Sequence, residues 1–523
     1  MGPGAASIRP SAERLKTLAE CVGLAVLAAL AVPWGDAVGR GVDLWGTLWF
    51  FEWTAHAVGS FENPFISTWS YWPEGEDLFR EAGGNQLDAL IAAPLVALFG
   101  TPGWMAPWCA LVLFGNAVAM RASVRGLGGS RPAALVAAVV FAASPFVWTE
   151  LAFGRPTQAL LWFLPLAVWM LRTQDQAWWR APAGGVLLAA QAWTYWFTGH
   201  LSLLVLGPAL LVFAYRWGPA AWYRLGQGAG ACLLLVGPAV AWMLIGGVEG
   251  VDIASPERMG WWILAPSQGP MAVGVWGLVL LAIALSRARL AWALAAVLAI
   301  LLAAGPELAF RGGVVVSNPV WFVAGLLPGW ERFHYPYRAV SVLGLVAGFA
   351  LAEAIDRLPR WRWASLVALP AVLWHWSPLP TTPVEEPEYA SVIRAEPGVV
   401  LDLPWLCSVD AVHLQVFHRQ PSLGAMTENV SDYVPVGHAQ LVDMDPILGP
   451  ITRLSRGETP GELGVQQVRE VGWVVLHREL MAPPVLHGRG CPAVDQRQVE
   501  RTLTEWLGEP VSDDGRRALY SLR

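Results

Sequence analysis

Long apolar runs separated by short polar segments dominate residues 1–377. Most are uncharged and roughly 15–21 residues long, the signature of membrane-spanning helices. They predict about eleven spans, near 17–36, 104–121, 132–150, 157–172, 182–198, 201–215, 227–247, 270–286, 289–305, 337–356 and 363–377. The pair at 182–198 and 201–215 turns around Gly199 and His200. A further apolar run at 86–101 is placed as an interfacial helix, because counting it as a span would reverse the charge bias of every later loop.

After residue 377 the pattern changes. Ser377-Pro378-Leu379-Pro380-Thr381-Thr382-Pro383 reads as a linker. Beyond it, Ala395 to Pro404 predicts a turn and a strand, Val471 to Leu476 a second strand, Gln496 to Leu507 a helix, and Arg517 to Leu522 a last strand. A tail of this length, 378–523, is large enough to bury its own core. The expected organisation is a multi-pass α-helical membrane core (1–377) with a large first loop (37–103), then a small α/β domain.

The arginines set the orientation. With a cytoplasmic N-terminus, the inner segments carry Arg9, Arg14, Lys16, Arg121, Arg125, Arg131, Arg172, Arg180, Arg216, Arg224, Arg287, Arg289, Arg357, Arg360 and Arg362. That is about twice the basic content of the longer outer loops. The first loop and the tail then lie outside the cytoplasm. Composition agrees: 55% of the 523 residues are hydrophobic and 14% charged, which excludes a disordered chain and argues against a purely soluble enzyme. No basic patch points to nucleic acid. Cys407 and Cys491 share the tail and can pair if it faces an oxidising compartment. No clustered ligand set points to zinc.

The first loop carries most of the chemistry. Asp43 can cap a helix running to about Val58. Trp45, Leu48, Trp49 and Trp53 share one face of it, suited to a membrane interface. Glu52 and His56 fall on the same face, one turn apart. Turns follow at Asn63-Pro64, Tyr71-Trp72-Pro73 and Glu74-Gly75.

The sequence here resembles the bacterial GT-C superfamily of membrane glycosyltransferases, the class of protein O-mannosyltransferases and lipid-A aminoarabinose transferases. The matching pieces are Asp43-Leu44-Trp45, Asn63-Pro64-Phe65, Tyr71 to Leu78 (YWPEGEDL), Pro94 to Gly100 (PLVALFG), Ser144-Pro145-Phe146 and His334-Tyr335-Pro336-Tyr337-Arg338. The resemblance implies transfer of a sugar from a polyprenyl-phosphate carrier to a glycan, lipid or protein acceptor outside the cytoplasm. In place of the second adjacent acid of some relatives, this chain offers Glu52.

Such a displacement needs a base for the acceptor's proton and cations for the departing phosphate. Asp43 is the candidate base, with Glu52 as a second acid; the alternatives are a helix cap for Asp43 and, for Glu52, an interfacial carboxylate paired with His56, Arg40 or Arg80. Arg338, His334 and Arg155 are candidates for the carrier phosphate; Arg155 can instead simply pair with Glu150. Glu52 with His56 offers half a metal site, so a divalent metal stays open, but no ligand triad is evident. His200 and Asp88 read as structural. Two other functions compete, a flippase or transporter for a lipid-linked glycan and a non-catalytic envelope-assembly protein. Few charges lie mid-span, which counts against transport.

Overall fold

The computed structural model describes residues 12–79, 86–172, 177–245, 281–309, 315–327, 330, 336–358, 378–405, 413–425, 434–435, 437–464, 470–481 and 494–523. In the first part these form helices α1 (Ala12–Ala31), α2 (Val42–Gly59), α3 (Leu87–Phe99), α4 (Met105–Gly126), α5 (Arg131–Ala142), α6 (Pro145–Ala152), α7 (Phe163–Arg172), α8 (Arg180–Thr194), α9 (Trp196–Trp217), α10 (Pro219–Ile245), α11 (Arg289–Ala303) and α12 (Ser341–Arg357).

Among the described residues, five helices are long and apolar enough to cross a membrane: Met105–Gly126, Arg131–Ala152, Trp196–Trp217, Pro219–Trp242 and Pro336–Arg357. The second is α5 running into α6 across Pro145, whose missing N–H interrupts the helical ladder. The expected runs that fall short do so for visible reasons. α1 carries Glu13, Arg14, Lys16 and Glu20 in its first half. The run at 157–172 breaks into Pro156–Ala159 and Phe163–Arg172. α8 and α11 have 15 residues each, short of the roughly 20 a perpendicular span needs. The run at 363–377, and most of that at 270–286, lie outside the described residues. The turn expected at Gly199 and His200 is instead Tyr195, extended at φ −154° and ψ 108°. His200 sits inside α9 with its ring 4.5 Å from that of Trp196.

The tail has a four-stranded mixed sheet. Strand β3 (Val399–Leu403) pairs parallel with β4 (Val471–His477), β4 antiparallel with β6 (Arg517–Ser521), and β6 antiparallel with β5 (Ser512–Asp513). Successive residues of β4 alternate between two cores, as strand geometry requires. Val474 and Leu476 meet helices α14 (Leu448–Ser455) and α15 (Gln496–Leu507) on one face. Trp473 and Val475 meet α13 (Glu388–Ala395) on the other. Asp495 caps α15, accepting from the N–H groups of Arg497 and Gln498. Cys407 and Cys491 lie outside the described residues.

The tail does not hang from a free linker. Strand β1 (Ala37–Val38), at the start of the first loop, pairs antiparallel with β2 (Thr381–Thr382) of the linker, Ala37 opposite Thr382. Thr382 Oγ1 adds a bond to the Gly39 carbonyl at 2.8 Å. Residues 413–424 then lie along α2. Trp49 Nε1 donates to Gln415 Oε1 at 2.6 Å, Gln415 Nε2 donates to the Trp69 carbonyl at 2.7 Å, and the Trp45 and His413 rings stack at 4.1 Å. The N–H groups of Tyr71 and Trp72 donate to the carbonyls of Gly424 and Ser422. Glu74 Oε2 meets His438 Nδ1 at 2.8 Å.

This corrects the expected interfacial role of the Trp face. Trp49 and Trp53 are fully buried, against the tail and the rest of the first loop rather than lipid. The opposite side of α2 is buried as well, with Phe51 stacked on Trp104 at 4.6 Å. A helix apolar on both sides is one packed on both sides. It follows that the first loop and the tail lie on the same side of any membrane.

Candidate active site

The site assembles where α2 begins. Gly41, at φ 104°, is the N-cap, and no side chain caps the helix. Asp43 is therefore not the cap, and it stands in the first turn with its carboxylate turned outward, 46% exposed. Arg155 reaches it from the turn after α6, its Nε donating to Asp43 Oδ2 at 2.5 Å. Backbone packing fixes this approach. A Cβ on Gly39 would lie 2.2 Å from the Gly154 nitrogen, and one on Gly154 would lie 2.8 Å from Leu44. Glycine at both positions lets the two loops touch.

Arg155 is the hub. Its Nη1 donates to the Tyr337 hydroxyl at 2.8 Å and lies 3.4 Å from Glu150 Oε2. Glu150 is fully buried, whereas the Arg155 side chain is 15% exposed. Burial opposes the guanidinium charge, but Glu150 and Asp43 more than offset it and hold its pKa above the ordinary arginine value. The expected Glu150–Arg155 pair is thus present, and Asp43 joins it.

Arg338 lies one residue beyond Tyr337, buried. Its guanidinium stands over the rings of Tyr195 at 5.0 Å, Phe197 at 5.4 Å and Tyr337 at 6.0 Å, each a cation–π geometry. His334 lies outside the described residues. The cluster therefore holds two arginines, two carboxylates and two tyrosines between α2, the turn after α6, the start of α9 and the start of the α12 span.

Glu52 does not join it. It lies about 13 Å farther along α2, buried, with Oε1 accepting from Thr101 Oγ1 at 2.5 Å and Oε2 at 3.3 Å from Arg419 Nη2. Burial raises its pKa above the usual glutamate value, against the pull of Thr101 and Arg419. The expected meeting with His56 is not made. His56 lies 3.8 Å from Glu62 and packs against Trp53 and Trp69, and burial lowers its pKa. Among the described residues Glu52 is paired with Arg419 and not with Arg40; Arg80 lies outside them. Among the described residues no group of three or more His, Cys, Asp or Glu is placed to hold a metal ion, and Glu52 and His56 turn to different partners.

Two acids gain importance from the structure. Glu150 anchors the hub. Asp88, at the start of α3, is completely buried with Oδ2 accepting from Thr157 Oγ1 at 2.6 Å. Burial pushes its pKa up to about 7. The sequence signal for Glu150 was its place within an apolar span five residues before an arginine; nothing local distinguishes Asp88 from other loop acids. Elsewhere, an apolar groove of 500 Å³ runs between α1, α4, α5 and α6, lined by Leu27, Leu30, Leu113, Val139 and Trp148.

No protein-family model matches this sequence, and no curated protein matches it. Solved structures do match by fold. ArnT from Cupriavidus metallidurans bound to undecaprenyl phosphate superposes with a TM-score of 0.56 at 15% identity, over 97% of this chain and 98% of ArnT. The Archaeoglobus fulgidus oligosaccharyltransferase, solved with Zn and sulfate, gives 0.50 at 14% identity, over 88% of this chain and 68% of that one. Arabinofuranosyltransferase AftD from Mycobacteria gives 0.51 at 18% identity, over 88% of this chain, which spans only 36% of AftD. This chain shares its fold with these solved transferases.

Proposed function

We propose that this chain is an integral membrane glycosyltransferase that moves a sugar from a polyprenyl-phosphate carrier to an acceptor outside the cytoplasm. The observation that carries the reading is the Asp43–Arg155 pair, one acid and one cation at the mouth of a GT-C fold. In this reading about eleven helices span a bacterial inner membrane, with the N-terminus cytoplasmic. Residues 1–377 form the core, and 378–523 form an α/β domain on the outer face. The pairing of β1 with β2 supports placing that domain beside the first loop.

The chemistry follows from the pair. The carrier phosphate is an anion that competes with Asp43 for Arg155, and Arg338 supplies a second cation nearby. Once Arg155 turns to the phosphate, Asp43 is free to accept the acceptor hydroxyl's proton. The acceptor oxygen bonds to the anomeric carbon as the bond from that carbon to the phosphate oxygen breaks. Polyprenyl phosphate leaves with the electron pair, its charge held by arginine. Donor binding thus releases the base, which stays occupied in the carrier's absence. The apolar groove beside α1 has the lining an isoprenoid chain requires. Glu52 acts in this reading by seating the tail on α2.

The test is release of free polyprenyl phosphate from synthetic polyprenyl-phosphate sugars by the purified full chain. Wild type is expected to release it from at least one donor and Asp43→Asn to lose the activity while melting at the wild-type temperature. Full activity in Asp43→Asn would remove Asp43 as base. Failure of the wild-type chain on every donor would move the weight to the envelope-assembly alternative.

A further inference from the structure

An arginine-lined cavity lies at the other end of the bundle. The span Arg131–Ala152 carries Glu150 near one end, and Ser130 immediately precedes the other, about 30 Å away along the helix. Around Ser130 opens a cavity of 810 Å³, bounded by the end of α4, the Gly126–Ser130 loop, and the ends of α7, α9 and α12. Four arginines line it, Arg125, Arg172, Arg216 and Arg287, against two carboxylates, Glu353 and Asp356.

The carboxylates are already engaged. Glu353 accepts from Arg172 Nη2 at 3.1 Å, from the Ala288 N–H at 3.1 Å and from Trp292 Nε1 at 3.3 Å. Asp356 Oδ2 accepts from the Ser130 N–H at 3.0 Å. The arginines retain donors to spare. The Arg172 side chain is only 10% exposed, flanked by the rings of Phe213 at 4.2 Å and Trp292 at 5.0 Å. Its Nε and Nη1 have no hydrogen-bond partner among the described residues. A buried guanidinium with two unmet donors is an uncommon and costly arrangement. Arg125, Arg216 and Arg287 are exposed at the rim.

We infer that this cavity binds a phosphate-bearing anion. The unmet donors of Arg172 form the inner contact, and the rim arginines supply the surplus positive charge. A planar guanidinium offers paired donors that match phosphate oxygens. Two sources share this chemistry, the headgroup of an anionic lipid entering between spans and a soluble phosphate compound. The site is separate from Asp43 and does not depend on the transfer reaction.

The test uses the full chain in nanodiscs and has two arms. In the first, native mass spectrometry reads lipid retained from discs mixing phosphatidylcholine with phosphatidylglycerol or cardiolipin. In the second, inorganic pyrophosphate is titrated into discs of phosphatidylcholine alone and thermal unfolding is followed. The variants are Arg172→Gln and the double variant Arg216→Ala/Arg287→Ala, whose exposed positions spare the fold; Arg501→Ala in the tail is the control. Binding in either arm that weakens roughly tenfold in the double variant, and not in the control, supports the site and identifies its source. No binding in either arm, or binding that the double variant leaves unchanged, overturns it.

Discussion

Two arginines, each largely buried and paired with a glutamate, stand at opposite ends of this bundle. Arg155 is saturated, with bonds to Asp43, Glu150 and Tyr337. Arg172 is not, since only its Nη2 has a partner among the described residues, Glu353. The glutamates differ in the opposite sense. Glu150 is fully buried and leans on Arg155. Glu353 is 16% exposed and keeps the Ala288 N–H and the Trp292 indole as well. A buried ion costs most when it loses its compensating charge. The Asp43 end is therefore an internally balanced cluster, in which an incoming anion must displace a carboxylate. The opposite end is an open cation, where an anion displaces nothing.

Replacing each arginine in turn tests this most directly. Arg155→Gln strands Glu150 in the interior, an expected loss of about 3–5 kcal/mol together with all transfer activity. Arg172→Gln leaves Glu353 two donors, so its expected cost is about 1–2 kcal/mol. Denaturant midpoints in one detergent compare the two; equal losses would break the contrast between a saturated and an open cation.

Asp43→Asn comes next. The transfer rate is expected to fall roughly 10²–10⁴-fold, the range for removing a positioned base. Stability should change by less than about 1 kcal/mol, because the pair lost is partly exposed. Melting temperature and steady-state turnover, measured on the same preparation, separate the two effects.

Asp88 gives a pH-dependent effect. Its folded pKa, about 7, lies above the ordinary 3.8. The folded state therefore holds the proton more tightly. The stability this contributes is complete below the ordinary value and is lost as pH rises through about 7. Relative to Asp88→Asn, wild type should lose about 1.4 kcal/mol per pH unit across the middle of that window. A pH-independent difference would mean that Asp88 is ionised in the folded chain.

Legibility in the sequence followed range. Local signals worked in the tail: the helix expected at 496–507 is present, and the strands expected within 395–404, 471–476 and 517–522 stand at Val399–Leu403, Val471–His477 and Arg517–Ser521. The Glu150–Arg155 pair, five residues apart, was readable for the same reason. What failed was long-range. The Trp stripe of α2 has the same period whether it faces lipid or protein, and only the arrival of residues 413–424 decides which. Asp43 meets a partner 112 residues away and Glu52 one 367 residues away. Helical spacing alone put His56 beside Glu52, and packing against Trp53 and Trp69 drew its ring elsewhere.

Glu52 supplies the smallest and last test, because it carries the contrast into the seam between loop and tail. Like Glu150 it is a buried acid, but its arginine is 53% exposed and Thr101 already satisfies one oxygen. A partner in that position is screened by water, so Arg419→Ala should cost only about 0.5–1 kcal/mol. The direction with pH is fixed: burial raises the Glu52 pKa and Arg419 lowers it. Removing Arg419 raises it further, so the variant's deficit should grow as pH climbs from acid to neutral and the bare carboxylate has to ionise. Glu52→Gln removes the ionisation, so adding it to Arg419→Ala should abolish that pH dependence. A deficit equal at all pH values would mean that Arg419 acts through packing against the loop, and charge balance would then govern the Arg155 hub but not the seam.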